Sequence, residues 1–386
     1  MQIRNIQHTL EQRIAETGGL IQIVIGPRQV GKTTAVKGAL AERGIYFSAD
    51  SPSVIPVKII SDCWNQALES KDSILAIDEI QKIPGWNEEI KRLWDNGPKL
   101  QKVILTGSAS LLLEKGLTES LAGRFEIIHA EHWNAKEAEQ VFQQSLESFI
   151  EFGCYPGANQ FLNNIERWSA YIRDSIVEPA IGRDILQLHP VENPALLREI
   201  LGVATALPAQ IISLQKIQGQ LQSKGAVTTV SNYLKLLSKA FLVTGVQKYT
   251  PNLFTSRQSS PKLVLHDNAI LRAFERPVNS GLSKEKFGRY LENAIGARFI
   301  ESNWEVYYWR ERDYEVDYVV IGPNNEHWAI EVKSGEYSDK DLSGLRRFCS
   351  LNPEFSPKVI SLQARKNSKV EEIAASEILS LKRSVG

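Results

Sequence analysis

A glycine-rich segment near the start of the chain has the residue types and spacing of a loop that binds phosphate groups. Residues 26–33 read Gly-Pro-Arg-Gln-Val-Gly-Lys-Thr and match the pattern GxxxxGK[ST]. An apolar run, 21–25, precedes them and a predicted helix follows, so a chance glycine loop is the weaker interpretation. Glycines let backbone N–H groups face an anion, lysine reaches the β/γ-phosphates and threonine ligates Mg²⁺. We predict that ATP and Mg²⁺ bind Gly26, Pro27, Arg28, Gln29, Val30, Gly31, Lys32, Thr33 and Thr34, with Lys32 also catalytic.

Two adjacent acids follow the apolar run at residues 74–77. An acid at the end of this predicted strand would lie beside Thr33, where Asp78 would hold Mg²⁺ through water. Glu79 would then orient or deprotonate the attacking water. The alternative is two surface acids at a strand end, and the upstream loop favours the functional interpretation.

The next apolar run, residues 103–106, also ends in polar groups. In ATPases that insert a strand between the loop strand and the acid strand, a polar residue here can touch the γ-phosphate or the water. Ser108 or Thr106 is the candidate, and a simple polar turn is the alternative. Arg124 precedes a further apolar run, 125–128. It could reach the γ-phosphate of its own or a neighbouring subunit, or form a surface ion pair that contributes little.

A second group of chemically active residues lies on a predicted hairpin near the carboxyl terminus. Strands at 315–321 and 327–333 alternate apolar and polar residues, which places Glu331 and Lys333 on one face. An acid, a 13-residue gap and Glu-x-Lys is the pattern of PD-(D/E)xK phosphodiesterases, whose carboxylates hold Mg²⁺ that activates water. A solvated polar face with a cross-strand ion pair is the alternative. The predicted nuclease-like site comprises Glu292, from the preceding helix, Asp317, Glu331 and Lys333.

The order of the predicted elements indicates how these residues are positioned. Five apolar runs, at 21–25, 46–47, 74–77, 103–106 and 125–128, alternate with several helical stretches. Strands that alternate with helices favour a parallel, doubly wound sheet with helices on both faces.

Beyond residue 133 the pattern changes. Residues 134–195 are mostly helical and net acidic, whereas residues 196–250 carry six Lys and Arg against one Glu. Three helical segments followed by a strand pair, near 241–244 and 262–265, suggest a winged helix. Five lysines of this stretch are predicted to contact phosphates of DNA: Lys216, Lys224, Lys235, Lys239 and Lys248. The alternative is a helical face that is simply exposed to solvent.

Composition excludes several classes of protein. The 386 residues contain 45 Lys and Arg against 45 Asp and Glu, so a chain that coats DNA along its whole surface is not expected. Three distant cysteines, without a CxxC pair, argue against disulfides and zinc sites and fit a reducing compartment. The longest uncharged run, 200–215, has 16 residues and is too short to span a membrane. We therefore expect a cytoplasmic protein.

His129 and His132 could pair on a metal, although surface or interface histidines are the favoured interpretation.

These motifs together resemble a known family. The chain is similar to bacterial and archaeal P-loop ATPases of the AAA type that end in a PD-(D/E)xK-like domain of unknown function. The segments that carry the resemblance are GPRQVGKTT (26–34), LAIDEIQKIPGW (75–86), LTGSAS (105–110), LAGRFE (121–126), GCYPGA (153–158), GRDI (182–185), SPK (260–262), YLENAI, RDYEVDYVV and AIEVKSG. The family often has Asp-x-Gly-Leu after SPK, where this chain has Asp267-Asn-Ala-Ile270.

The resemblance implies an α/β architecture in four parts. A P-loop NTPase domain of the AAA type, with its parallel sheet, would be followed by a helical linker, a winged helix and a restriction-endonuclease-like α/β domain. The predicted boundaries are 1–133, 134–195, 196–265 and 266–386.

Three functional hypotheses follow from the motifs. The first is an Mg²⁺-dependent ATPase, with ATP as ligand, that acts on or near DNA and can form homo-oligomers without a membrane partner. The second adds cleavage of DNA by the carboxyl-terminal site. The alternative is a slow, nucleotide-gated switch that recruits DNA or a protein partner and cuts nothing.

Overall fold

The computed structural model describes residues 4–16, 18–51, 53–108, 120–186, 191–221, 226–251, 259–276, 281–363 and 369–383. Residues 109–110 of the LTGSAS segment and Lys224 of the basic stretch lie outside them. The described residues form two compact units. Unit 1 contains residues up to 131 together with 182–186, and unit 2 contains 132–181 and the residues from 191 onward.

Unit 1 is an α/β unit built on one parallel sheet. Its strands are β1 Ile21–Ile25, β2 Ile45–Ser48, β3 Ile74–Asp78, β4 Lys102–Gly107 and β5 Phe125–His129. Its helices are α1 Asn5–Ala15, α2 Lys32–Leu40, α3 Lys58–Glu69 and α4 Trp86–Asn96, with a 3₁₀ turn at Ile80–Lys82.

The strand order in this sheet is β2-β3-β4-β1-β5, and every neighbouring pair is parallel. Strands β1, β3 and β4 are buried throughout, which explains their continuous apolar sequences. The expected inserted strand is present, because β4 lies between the loop strand β1 and the acid strand β3. The parallel sheet and all five predicted strands are confirmed.

Unit 2 begins with the predicted helical stretch. Its helices are α5 Ala135–Phe142, α6 Leu146–Phe152, α7 Pro156–Asn159, α8 Ile165–Ala170, α9 Pro194–Ala206, α10 Leu214–Gln220, α11 Val227–Lys239, α12 Asn268–Phe274, α13 Lys284–Glu301, α14 Ser343–Leu351 and α15 Ala375–Leu379. π-Helical segments follow α8 at Tyr171–Val177 and Ala180–Ile185. Its strands are β6 Val243–Lys248, β7 Lys262–Leu265, β8 Glu305–Glu311, β9 Tyr314–Ile321, β10 His327–Lys333, β11 Ser356–Ser361 and β12 Glu371–Ala374.

These seven strands form one mixed sheet in the order β12-β11-β10-β9-β8-β6-β7. The β9–β10 hairpin lies near its centre, and α14 packs against it through a cluster that includes Val316, Val319, Ala329 and Phe348. Helices α9 to α11 and the antiparallel pair β6–β7 follow in the predicted sequence. Because β6 also pairs with β8, this strand pair is part of the same sheet as the hairpin. The winged helix and the four segment boundaries remain predictions.

Strands β11 and β12, which follow residue 333, were not predicted from the sequence. Each strand has only a short apolar core, such as Val359 and Ile360, whose length does not distinguish a strand from a helix. Parallel pairing with the buried strand β10 decides the outcome. Among the described helices, none combines the length and the apolar character that a membrane crossing requires.

Candidate functional site

The predicted phosphate loop connects the carboxyl end of β1 to the first turn of α2. Gly31 has a φ of 92°, in the left-handed region, and a Cβ on Gly26 would lie 2.0 Å from the carbonyl oxygen of Ala130. Glycine is therefore required at both positions for steric reasons. The resulting curl places the loop at the amino end of a nine-residue helix, where the helix dipole favours an anion.

Lys32 lies inside this loop and is 7% exposed. Its ammonium donates to the carbonyl oxygens of Gly26 (3.0 Å) and Pro27 (2.7 Å). Burial lowers the pKa of Lys32, and the carboxylates of Glu79 and Asp184 oppose that shift. The ammonium is thus held at the loop by weak neutral acceptors that a phosphate can replace.

Asp78, at the carboxyl end of β3, is 4% exposed and accepts hydrogen bonds from three hydroxyl groups. Thr33 Oγ1 and the Tyr46 hydroxyl donate to Oδ2 at 2.6 and 2.7 Å, and the Thr106 hydroxyl donates to Oδ1. Burial and the carboxylate of Asp78 raise the pKa of Tyr46, which keeps its proton for this bond. The hydroxyl of Thr33 and the carboxylate of Asp78 are hard oxygen donors, the type that Mg²⁺ takes in proteins.

Glu79 follows in a strained backbone conformation. Its φ of 55° and ψ of 42° are left-handed, which is uncommon for a residue with a side chain and is concentrated at functional sites. Gln81 Nε2 donates to Glu79 Oε2 at 2.6 Å and lies 3.5 Å from Ser108 Oγ. The structure therefore joins Glu79 and Ser108, two of the predicted catalytic residues, through one amide.

A buried ion pair connects the loop to a segment far along the chain. Arg28 Nε and Nη2 donate to the two carboxylate oxygens of Asp184, both at 2.7 Å. The Asp184 side chain is 5% exposed and that of Arg28 is 21% exposed. This bidentate geometry fixes the guanidinium plane as well as its position. Arg183, the adjacent residue, is exposed and close enough to lower the pKa of Asp50 after the larger effects of Lys82.

Arg124 lies at the other edge of the sheet. It directly precedes β5, and the register pairs Phe125 with Ile21, the first residue of β1. The phosphate loop follows the last residue of β1, about 13 Å away for a strand of this length. Arg124 instead forms two hydrogen bonds with Asp95, at 2.7 and 2.9 Å. The prediction that it reaches the γ-phosphate of its own site is therefore wrong, and a role at a neighbouring subunit remains a prediction.

The four residues of the predicted nuclease-like site come together on the hairpin and α13, around a lysine that was not predicted. Lys262 is fully buried, and its ammonium lies 2.5 Å from Glu292 Oε1. It also donates to the backbone oxygen of Asp317 at 2.9 Å and lies 3.9 Å from Asp317 Oδ1. Lys333 pairs with Glu331 at 2.7 Å. Two ammonium groups therefore compensate part of the charge of the three carboxylates.

The electrostatics of this cluster are those of crowded, partly buried acids. Burial first, and then the charge of Asp317, raise the pKa of Glu331 to about 8. Burial raises the pKa of Glu292 to about 7, although Lys262 opposes the shift. Among the described residues, one group of three side chains has ligand atoms within 4.8 Å of one another and could hold a metal ion, and it lies elsewhere in unit 2. The three acids of this cluster do not form such a group.

Four side chains of these two sites were absent from the predicted set: Tyr46, Gln81, Asp184 and Lys262. The segments GRDI and SPK contain two of them and were recognised only as carriers of the family resemblance. Their hydrogen bonds connect residues 156 and 55 positions apart, which no local pattern reveals. Gln81 lies in the segment LAIDEIQKIPGW, which was likewise recognised only for the family resemblance, and Tyr46 was predicted only as part of the strand β2.

Comparison with protein families agrees with the geometry of unit 1. Residues 19–139 match the family described as AAA domain. Residues 143–285 and 287–381 match two domains of unknown function, DUF8612 and DUF4143. Residues 19–139 are thus similar to AAA domains, in agreement with the phosphate loop and the parallel sheet.

Relatives of similar length are known in distant organisms. An uncharacterized protein of Methanocaldococcus jannaschii is 26% identical over 364 residues, which cover 83% of this chain and 79% of the relative. An uncharacterized protein of Mycobacterium tuberculosis is 28% identical over 325 residues, which cover 81% and 70%. One from Haemophilus influenzae is 23% identical over 322 residues, with coverage of 78% and 79%.

Two solved structures from Thermotoga maritima share only distant likeness with this chain. The RuvB Holliday junction branch migration motor is 16% identical, with a TM-score of 0.34, over 64% of this chain and 89% of its own. A DNA polymerase III gamma subunit-related protein is 10% identical, with a TM-score of 0.33, over 61% and 99%. Scores of this size say nothing about what this chain does.

Replacing Asp184 by Asn should loosen the phosphate loop. The substitution removes the charge that holds Arg28 and leaves a mostly buried guanidinium without its partner, at a cost of about 1–3 kcal/mol. Hydrogen-exchange mass spectrometry of peptides that cover residues 20–40 reports this loss as a lower free energy of local opening. Glu178→Gln is the matched control, because Glu178 makes the same fork with Arg198 at an exposed position, where pairs contribute little. Equal effects of the two substitutions would contradict this account.

The acid cluster should make the folded protein less stable as the pH rises from about 5 to about 8. The unfolded chain releases the Glu331 proton near the ordinary value of 4.5, whereas the folded protein holds it to about 8. The folded state therefore carries the extra proton between these values, and its stability falls as the pH rises through them. Melting temperatures measured with a chelator present should fall less over this range in Glu331→Gln than in the wild type. Glu336→Gln, at an exposed position, should retain the wild-type slope.

Proposed function

We propose that this chain is an Mg²⁺-dependent ATPase that acts on or near DNA. The single observation that carries the proposal is the hydrogen bond from Thr33 Oγ1 to Asp78 Oδ2, at 2.6 Å, beside the phosphate loop. It places the hydroxyl that follows the loop lysine against the carboxylate that ends the acid strand. When bound, Mg²⁺ would be held by these two side chains and would neutralise charge on the phosphates.

Each of the neighbouring residues has a role in this proposal. Lys32 exchanges its two carbonyl acceptors for phosphate oxygens. Glu79 accepts the proton of the attacking water, and Gln81 aligns its carboxylate with Ser108. Arg28, fixed by Asp184, presents its remaining donors to the nucleotide.

Arg124 is proposed to act on a neighbouring copy of the chain, because its position excludes a role at its own site. An arginine supplied by another subunit stabilises charge that develops on the transferred phosphoryl group. The proposal therefore includes a homo-oligomer in which the amino edge of one sheet faces the nucleotide of the next subunit.

Lys32→Ala should abolish nucleotide binding or turnover, because it removes the charge that binds the β/γ-phosphates. Glu79→Gln should keep nucleotide affinity and slow turnover about 10²–10⁴-fold, because an amide cannot accept the proton. Release of phosphate from ATP, together with binding of a fluorescent nucleotide, measures both effects. Lys71→Ala and Glu88→Gln are matched controls at exposed positions. Wild-type turnover by Lys32→Ala would overturn the proposal.

For the hairpin site we propose the non-cutting alternative, in which the chain is a nucleotide-gated module that holds DNA. The observation that favours it is the buried ammonium of Lys262, which already supplies a positive charge between Glu292 and Asp317. Three exposed lysines of the basic stretch, Lys216, Lys235 and Lys239, support contact with phosphates. Lys235 and Lys239 lie four residues apart on α11, so they share one face of the helix.

Asp317→Ala should therefore cause no change in DNA cleavage. Plasmid and linear DNA incubated with Mg²⁺ or Mn²⁺ should remain uncut by the wild type and by the variant alike. Binding of the same DNA should differ between ATP and ADP, and it should weaken in Lys235→Ala/Lys239→Ala. Metal-dependent cleavage by the wild type that is lost in Asp317→Ala would contradict the non-cutting proposal and favour a nuclease.

A further inference from the structure

Unit 2 contains a buried group of two histidines and one glutamate that the proposed function does not use. His132 precedes α5, His266 follows β7, and Glu301 is the last residue of α13. Their side chains are 3–6% exposed. The sequence prediction placed His132 at the surface or at an interface, and it is wrong, because this imidazole lies in the core. One ligand atom from each residue lies within 4.8 Å of the other two, so the three side chains could bind one metal ion.

The two imidazoles point the same nitrogen at the same oxygen. His132 Nδ1 is in short contact with Glu301 Oε1, and His266 Nδ1 lies 3.4 Å from it. The other carboxylate oxygen, Oε2, accepts a hydrogen bond from the backbone N–H of His132 at 3.0 Å. This bond fixes the carboxylate, so that Oε1 faces both rings.

The outer nitrogen of each ring is held by a hydroxyl group. His132 Nε2 lies 2.9 Å from the Tyr155 hydroxyl, and His266 Nε2 lies 2.8 Å from Thr244 Oγ1. Thr244 is itself 2.8 Å from Ser238 Oγ. Such outer partners fix ring orientation and tautomer in metal sites, and here they leave both Nδ1 atoms directed inward.

A small cavity adjoins the three side chains. Its volume is about 30 Å³, and its walls include His132, His266, Asp267 and Glu301. That space accommodates about one water molecule and no larger ligand. The carboxylate of Asp267 is also buried, and it accepts hydrogen bonds from the backbone N–H groups of Cys154 (3.2 Å) and Ala269 (2.7 Å). A cation here would meet two negative charges.

We propose that His132, His266 and Glu301 bind one divalent transition-metal ion through Nδ1, Nδ1 and Oε1, with a water in the cavity as the fourth ligand. Two imidazoles, one carboxylate and a tetrahedral position suit Zn²⁺. The ion would take the place of the hydrogen-bonded proton between His132 Nδ1 and Glu301 Oε1. The ion would tie together three separate segments of unit 2, which contribute His132, His266 and Glu301.

The test uses the full chain, stripped with a chelator and dialysed against Zn²⁺. Elemental analysis should find about one Zn²⁺ per chain, and the melting temperature should rise because the ion binds only the folded state. Co²⁺ in its place should give the visible absorption of a tetrahedral site. His266→Gln and Glu301→Gln should lose all three signals, whereas His8→Ala, which removes an exposed histidine, should keep them.

Tyr155→Phe tests whether loss of the metal in the other variants results from misfolding. It keeps the three ligands and removes only an outer hydrogen bond. It should retain the ion with affinity about 10–100-fold weaker. A folded wild-type protein that binds no stoichiometric Zn²⁺ and shows no shift in melting temperature would overturn the proposal. So would a metal that survives in His266→Gln and disappears in His8→Ala.

Discussion

Parallel pairing of β4 with both β1 and β3 determines where the nucleotide chemistry of this chain can occur. Parallel strands end at the same edge of a sheet, so the loop after Ile25, the acids after Ile77 and the hydroxyl of Thr106 meet there. The three hydroxyls on Asp78 come from three different elements, with Thr33 in the first turn of α2, Tyr46 on β2 and Thr106 near the end of β4. The same register carries Arg124 to the opposite edge. Its separation from the site is a property of the sheet, and no rotamer of the side chain changes it.

The carboxylate charges of the two sites are stabilised in different ways. In unit 1 the carboxylate of Asp78 is stabilised by neutral hydroxyl donors, which leaves its charge available to a cation. On the hairpin, Glu292 and Asp317 have the ammonium of Lys262 at close range, so their charge is already compensated. Removing a buried countercharge is costly, and a metal that entered this cluster would have to displace the fully buried ammonium of Lys262. Carboxylates of the same type are therefore predisposed to different chemistry by their neighbours.

The parts of the structure that could be predicted from the sequence are those that depend on residues close together in the chain. The loop, Asp78 and all five strands of unit 1 were predicted because apolar runs, glycines and terminal acids occur within a few residues of one another. Asp184 was not predicted as a partner of Arg28, since only the folded chain brings them together. Lys262 was missed for the same reason, and β12 and β11 because their short apolar cores are uninformative until β10 is available as a partner. The burial of His132 depends on Glu301, which is 169 residues away.

The return of residues 182–186 to unit 1 has a consequence for how the protein is made. A ribosome that has finished β5 has supplied the whole parallel sheet, yet Arg28 still has no carboxylate. Asp184 emerges only after the intervening residues 132–181, which belong to unit 2, have been synthesised. Those residues in turn cannot complete their own core until α13 and the seven-stranded sheet follow. Neither unit is therefore a contiguous product of translation, and the nascent chain must hold a nearly finished first unit beside an unfinished second one.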